Sequence, residues 1–292
     1  MPVLRWSARG RGPHLPSRER LQALSPSQPG DADLLEVLTR EDLEVLGRIA
    51  DASNLAVLVR AGAGGPLAIY KPVMGERPLW DFPDGTLAGR EVAAYLISAA
   101  GGFDVVPPTV LRSGPQGIGS VQRWVGDPTD EPEHPVDVVG PREVPTGWLP
   151  VLRGENELGE PVVVVHEDSA AARTVAAFDA LINNSDRKGS HLVRDEGRLR
   201  GFDHGVSLHE EPKLRTVLWG FAGEPIAEAD LARIAAVVEL VQDEEASLRA
   251  ELDSLLTLRE VAALLGRGRR LLDRRAYPVP SGQWPAIPWP PL

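Results

Sequence analysis

Two aspartates carry the strongest chemical signal in the chain. Asp186 lies within Asn183-Asn-Ser-Asp186-Arg-Lys188-Gly-Ser-His191, and Asp203 within Gly201-Phe-Asp203-His-Gly205. The first follows an apolar segment that reads as a helix, and the second ends a short hairpin. That order brings both carboxylates to one mouth of a cleft. There, one carboxylate can orient a hydroxyl nucleophile while the other holds Mg²⁺ against a triphosphate. Either Asp alone would read as an ordinary turn residue; the pair in this strand–loop context argues for chemistry. Upstream, Ala68-Ile-Tyr-Lys71 sets a lysine at the end of an apolar strand, where its ammonium can neutralise nucleotide phosphates. Glu91, inside a predicted helix, is the carboxylate that would fix that lysine in place. Singly, Lys71 reads as a snorkelling strand end and Glu91 as part of a solvated helix face. The sequence of strand Lys, helix Glu, loop Asp and strand-end Asp is what joins them.

The bulk composition bounds the alternatives. The chain has 292 residues, 42 acidic against 31 basic, for a net charge of −11. That acidity argues against a general binder of nucleic acid or anionic membrane. Cysteine is absent, which excludes disulfides, thiolate nucleophiles and Cys-based metal sites. No apolar run approaches the roughly 18 residues a membrane span needs, and the N-terminal arginines lack the apolar stretch of a secretory signal. A soluble, cytoplasmic protein without a transmembrane segment is expected. Of the basic residues only Lys71, Lys188 and Lys213 are lysines. All three fall around the proposed cleft, and at position 71 an Arg would keep the charge but alter reach and geometry.

The elements that must position these residues follow from the pattern. Residues 1–34, rich in Pro, Ser and Arg, read as a disordered or loosely docked arm. Leu34–Ile49 fits either a helix or two short strands. Leu55–Val59 and Leu67–Tyr70 form a hairpin across a Gly-rich turn. Thr86 caps a helix carrying Glu91, Val92 and Tyr95. Strands follow at Val105–Leu111, an edge because of Pro107-Pro108, and at Ile118–Val125. Residues 126–166 read as an insertion or connection. A helix begins near Asp168 or Ser169 and ends at Asn183-Asn184, and strands at His191–Arg194 and Leu199–Phe202 flank a turn. Helices are expected over 227–252 and 257–273. The tail after Tyr277, with six prolines in residues 278–292, should be extended. The resulting fold class is α+β: a β-rich N-lobe over 35–125 and a mainly helical C-lobe over 167–276, with a nucleotide cleft between them.

This order resembles the protein-kinase-like superfamily, whose signature is a strand Lys, a helix Glu, a catalytic-loop Asp and a D-F-G motif. Tyr-Lys71-Pro72, the Asp186-Arg187 start of the loop and the lack of a GxGxxG loop are similar to its phosphatidylinositol 3-/4-kinase-like branch and to bacterial toxin-type serine kinases. YKPVMGERPLWDFPDGTLAGREVAAY, VPPTVL, FDALINNSDRKGSH, GFDHG and KLRTVLWGFAGEP further resemble an uncharacterised bacterial family over roughly residues 35–275. The resemblance implies an ATP- and Mg²⁺-dependent kinase that transfers the γ-phosphoryl to an alcohol. Lys71 would meet the ATP phosphates with Glu91 as partner, Asp186 would be the catalytic base, and Asp203 the main metal ligand. Val121–Val125, with Gln122 and Trp124, would be the hinge at adenine, and Ser53 and Asn54 would approach the phosphates. The glycines at 62, 64 and 65 lie at the far end of their hairpin and do not serve as a phosphate loop.

Three positions depart from that signature. His191 stands where the superfamily has an Asn metal ligand, so it points elsewhere, leaves one metal site weak, or favours a softer ion such as Mn²⁺. His204 replaces the Phe of D-F-G. Lys188 replaces a His of the lipid-kinase loop, and either stabilises charge on the transferred phosphoryl or sits on the surface. The acceptor is a Ser/Thr protein or a small molecule in preference to an inositol-type lipid. The alternatives are a nucleotide-binding pseudokinase and a kinase-fold AMP transferase. Lys213-Leu-Arg215-Thr-Val-Leu-Trp219 sits where kinases place a substrate loop, and reads either as a receiver of acidic substrates or as a packed loop.

Overall fold

Helix α1 (Asp31–Arg40) and strand β1 (Leu43–Arg48) open the structure, a computed structural model that describes residues 31–49, 54–126 and 133–292. The segment that fitted either a helix or two strands is thus one of each. The expected arm boundary falls inside α1, whose Leu34 and Leu38 are buried; residues 1–30 lie outside the described region. Strands β2 (Val57–Ala61), β3 (Leu67–Pro72), β4 (Thr109–Gly114) and β5 (Gly117–Arg123) complete a five-stranded antiparallel sheet, ordered β1-β2-β3-β5-β4. Alternation along the strands sorts its two faces. Val57, Val59, Ala68, Tyr70 and Val121 pack under Leu34 and Leu38 of α1. Leu58, Leu67 and Ile69, with Leu46 and Trp124, form a second apolar cluster. Lys71 shares the Ile69 face, two residues further along β3.

Helix α2 (Leu87–Ala100) starts where the sequence indicates, with the Thr86 hydroxyl accepting from Gly89 N–H at 2.9 Å. The Glu76 carboxylate adds two bonds, from Leu87 N–H at 3.0 Å and Ala88 N–H at 2.8 Å. An anionic group suits the positive end of a helix. The strand expected at Val105 begins only at Thr109. Pro107 and Pro108 donate no ladder bonds, and the Ser98 hydroxyl accepts from Val105 and Val106 N–H instead.

Residues 136–167 hold three strands, β6 (Val136–Val139), β7 (Trp148–Glu155) and β8 (Pro161–Glu167), in a separate sheet ordered β6-β8-β7. The insertion or connection expected over 126–166 thus carries a three-stranded sheet. Helix α3 (Ala170–Ile182) follows, capped by Ser169 and ended by Asn183 in the left-handed region at φ 56°. Asn tolerates that geometry better than most residues. The hairpin β9 (Leu192–Asp195) and β10 (Arg198–Gly201) comes next, then α4 (Glu228–Gln242), α5 (Ser247–Leu255) and α6 (Leu258–Arg274). The single helix expected over 227–252 is two, because Asp243 turns the chain and accepts from Glu245 N–H at 3.0 Å. The main core joins α2 and α3 to α4–α6 through Phe103, Phe178, Leu181, Ile234 and Leu264. The tail after Tyr277 has no regular element, yet it docks: Ile287 and Leu292 pack on that core.

Candidate active site

Lys71 sits on β3 opposite Ser120 of β5 and points between the lobes. Its Nζ donates to Glu91 Oε1 at 2.5 Å and to Asp203 Oδ1 at 2.8 Å. Three segments far apart in sequence therefore meet at one ammonium. The second oxygen of Glu91 accepts from His204 N–H at 2.9 Å, so this glutamate binds both the lysine and the backbone beside Asp203. Glu91 is buried, unlike the solvated face that a lone helix glutamate suggests. Its helix is held down by neighbouring Arg90, which pairs with Glu260 of α6 and donates to Ser207 O and Asp84 O, both at 3.0 Å. Burial would lower the Lys71 pKa, but Asp203 and Glu91 together raise it above the ordinary lysine value. Lys71 in turn holds the Asp203 carboxyl well below the usual carboxylate range.

Asp203 adopts φ 60°, an uncommon region for a side chain other than Gly, Asn or Asp. Such geometry persists where the surroundings enforce it, and it gathers at working sites. The Asp203 side chain is 49% exposed, so its oxygens face both the lysine and open space. His191 also turns toward it, with Nε2 3.5 Å from Asp203 Oδ2. Burial lowers the His191 pKa to about 4, which leaves the ring neutral near pH 7. A hard carboxylate beside a neutral imidazole fits a divalent ion that tolerates one nitrogen ligand. Among the described residues no three His, Asp or Glu side chains converge to form a metal cluster on their own. Mg²⁺ needs no such cage, since it takes one or two carboxylates with water and substrate phosphates.

Asp186 lies in the loop after α3, half-buried, with Lys188 Nζ 3.6 Å from its Oδ2. Burial raises its pKa, and the charges of Lys188 and Arg215 oppose the rise. Its loop is built on residues whose part the sequence left unread. Arg187 is buried, and its Nε and Nη2 donate to both oxygens of Asp179 on α3 at 2.8 and 2.9 Å. The same guanidinium donates to Phe202 O at 3.0 Å and to His204 Nε2 at 2.7 Å. Asn184 donates to Asp179 Oδ1 at 2.9 Å and accepts from Asp186 N–H at 3.0 Å. One arginine thus ties the Asp186 loop to the Asp203 turn. His204 fills the Phe position of D-F-G as a neutral ring: burial holds its pKa well down, and Phe178 stands edge-on at 5.9 Å. The adjacency of Arg187 to Asp186 was the available signal; an Asp inside an apolar helix was the other.

The remaining predicted residues are placed less centrally. Gln122 turns into the N-lobe, donating to Thr109 Oγ1 at 2.8 Å. Trp124 packs with Leu58 and Ile69, and its indole N–H is buried without a partner. The Asn54 carboxamide oxygen accepts from Arg77 N–H at 2.9 Å. Ser53 lies outside the described residues. Lys213 is buried rather than presented to solvent. Its Nζ lies 5.0 Å from the Trp284 ring and 5.6 Å from the Phe82 ring, with Asp81 Oδ2 at 3.4 Å.

No family model matches the chain. It is 46% identical over 264 residues to Protein Rv2133c of Mycobacterium tuberculosis, covering 87% of this chain and 94% of that protein. The chain belongs to the Rv2133c family. Two solved structures of the Golgi casein kinase, one with Mn/ADP bound, share its architecture with TM-scores of 0.54 and 0.52 at 12% identity. They cover 88% of this chain and 78% and 79% of theirs. The fold of this Rv2133c relative is therefore protein-kinase-like, with a β-sheet N-terminal lobe and a helical C-terminal lobe.

Proposed function

We propose that the chain is an ATP- and divalent-metal-dependent phosphotransferase that moves the γ-phosphoryl of ATP to an alcohol. The observation that carries this reading is the meeting of Lys71, Glu91 and Asp203 in one cleft, with Asp186 on the adjoining loop. Lys71, held by Glu91, neutralises nucleotide phosphates. Asp203, with His191 beside it, would hold the metal, which when bound supplies charge neutralisation between the phosphates. Asp186 accepts the proton of the attacking hydroxyl. A bond forms between that oxygen and the γ-phosphorus, the bond to the bridging oxygen breaks, and ADP leaves. Lys188, within reach of Asp186, stabilises charge on the transferred group. Catalysis here is positioning and electrostatics, because the chain contributes no covalent intermediate.

Adenine would stack against Ile69 and Trp124, both half-buried, with the hinge backbone beside it. The Asp195 carboxylate fixes that hinge, pairing with Arg123 and accepting from Gly126 N–H at 3.1 Å. Tyr-Lys71-Pro72 and Asp186-Arg187 favour the phosphatidylinositol 3-/4-kinase-like branch. Residues 35–125 and 167–276 are the two working lobes of this reading, which acts in the cytoplasm on cytoplasmic ATP. A second reading, transfer of AMP, gives a separable result. Protein with Mg²⁺ or Mn²⁺ and γ-³²P-ATP should label an alcohol acceptor, while α-³²P-ATP should not. Label arriving from α-³²P-ATP alone would overturn the kinase reading. ATP–metal that stabilises the fold without any turnover would leave a regulatory nucleotide-binding module.

A further inference from the structure

The segment that follows the Asp203 turn returns to the Asp186 loop and is locked against it. Arg215 N–H donates to Asn184 O at 2.9 Å, and Arg215 O accepts from Arg187 N–H at 3.0 Å. Residues 184 and 187 flank Asp186, so the Arg215 backbone lies directly alongside the proposed base. The charge of its guanidinium opposes, after that of Lys188, the rise that burial gives the Asp186 pKa. A guanidinium carries five N–H donors. Here one bond is made, from Nη2 to Ile287 O at 3.3 Å, and Nε is buried without a partner. Arg215 forms no ion pair among the described residues, whereas its neighbour Arg187 is fully engaged. Lys188 adds a second cation on the same side of Asp186, and its contact there is a long 3.6 Å. Two cations with spare donors thus stand beside Asp186 in a chain of net charge −11. Donors left over beside Asp186 are available to an anionic group of a ligand.

The docked tail indicates the size of that partner. Thr216 N–H donates to Ala286 O at 3.1 Å, and the Trp219 indole donates to the same carbonyl at 2.7 Å. On its other side Thr216 bridges Arg187 in parallel register. At Thr216 both edges of the segment are therefore paired within the chain, which blocks an extended peptide from joining there as an added strand. Gly189, three residues past Asp186, is closed in as well. Its N–H donates to Pro291 O at 2.8 Å, and a Cβ there would lie 2.4 Å from Leu292.

We infer that the acceptor is a small alcohol bearing an anionic group, phosphate or carboxylate, which Arg215 grips bidentately beside Asp186. This rests on the phosphotransferase reading above and names its acceptor class. A fork of two N–H donors matches either anion. The Ile287 carbonyl is a positioning contact, since it sets the guanidinium plane from the tail.

The test compares glycerol, glycerol 3-phosphate and glycerate as acceptors for γ-³²P-ATP, with a casein peptide as the polypeptide arm. A charge-assisted contact predicts that an anionic member is preferred over glycerol by about tenfold or more in kcat/KM. Arg215→Ala should collapse that ratio toward one through the acceptor KM, and Arg215→Lys should restore part of it. The phosphate and carboxylate arms tell which anion is taken. Equal use of charged and uncharged members, a ratio unchanged in Arg215→Ala, or preference for the peptide would each overturn the inference. Where ATP is hydrolysed to water alone, failure of both anions to compete with that hydrolysis also overturns it. The first three leave γ-transfer to an alcohol standing, whereas hydrolysis to water alone, or absence of any ATP turnover in the wild-type protein, removes both readings together.

Discussion

Two charge networks meet between residues 187 and 204, and they are built to opposite ends. The Asp179–Arg187 pair is sealed, with side chains 1% and 0% exposed and both carboxylate oxygens bonded to one guanidinium. The Lys71–Glu91–Asp203 cluster has comparably short contacts, but it opens from a buried glutamate to a half-exposed aspartate. The sealed pair has nothing left to offer a ligand. The open cluster has oxygens of Asp203 and a face of Lys71 turned to the cleft. Oppositely charged side chains thus lock the loop in one case and stay open to the cleft in the other, and burial decides which.

The comparison breaks first at its sealed side. Asp179→Ala leaves the Arg187 charge buried and unpaired, which should cost about 3–5 kcal/mol of stability. Urea unfolding measures this, and a loss no larger than that of an ordinary surface substitution would contradict the assignment. Lys71→Met should act the other way round, with a smaller loss of stability and a fall in phosphoryl transfer of about 100-fold or more. It also removes the cause of the depressed Asp203 pKa. The stability that a depressed carboxyl contributes is present above its unfolded value of 3.8 and is lost as pH falls through the folded value. The gap between wild type and Lys71→Met should therefore narrow in acid, read from unfolding curves across that range.

The open side also predicts a pH profile. Burial raises the Asp186 pKa, so the acid limb of kcat/KM should lie above the ordinary aspartate value. Lys188 and Arg215 oppose that rise, and Lys188→Met should move the limb to still higher pH. A shift to lower pH would place Lys188 away from the base. The smallest effect belongs to the tail: Trp284→Ala removes one aromatic face from the buried Lys213 ammonium and should cost roughly 1–2 kcal/mol, visible in thermal melts.

Much of the open cluster could be read from the chain, because its order along the sequence is its signature. Lys71 closes an apolar strand, Thr86 caps the helix of Glu91, and Asn183 ends the helix before Asp186; each is a local rule that the fold obeys. The sealed pair is different. Asp179 lies four residues before Asn183 in an apolar helix, and only the loop folding back over that helix gives it Arg187. The tail is a similar case, since its prolines announce extended chain but not the carbonyls of Ala286 and Ile287 that receive Thr216, Trp219 and Arg215. The sheet over residues 136–167 was hidden by Pro and Gly in its connections, with β8 alone a strong apolar run. Long-range pairing supplied what local pattern lacked.

The central claim is that Asp186 and Asp203 serve the reaction and not the fold. It is tested most directly by γ-³²P transfer and thermal melting on Asp186→Asn and Asp203→Asn. Asn conserves shape and removes the charge, so both variants should remain folded while transfer falls by about 100-fold or more. Folded variants that still transfer phosphate at the wild-type rate would contradict the account.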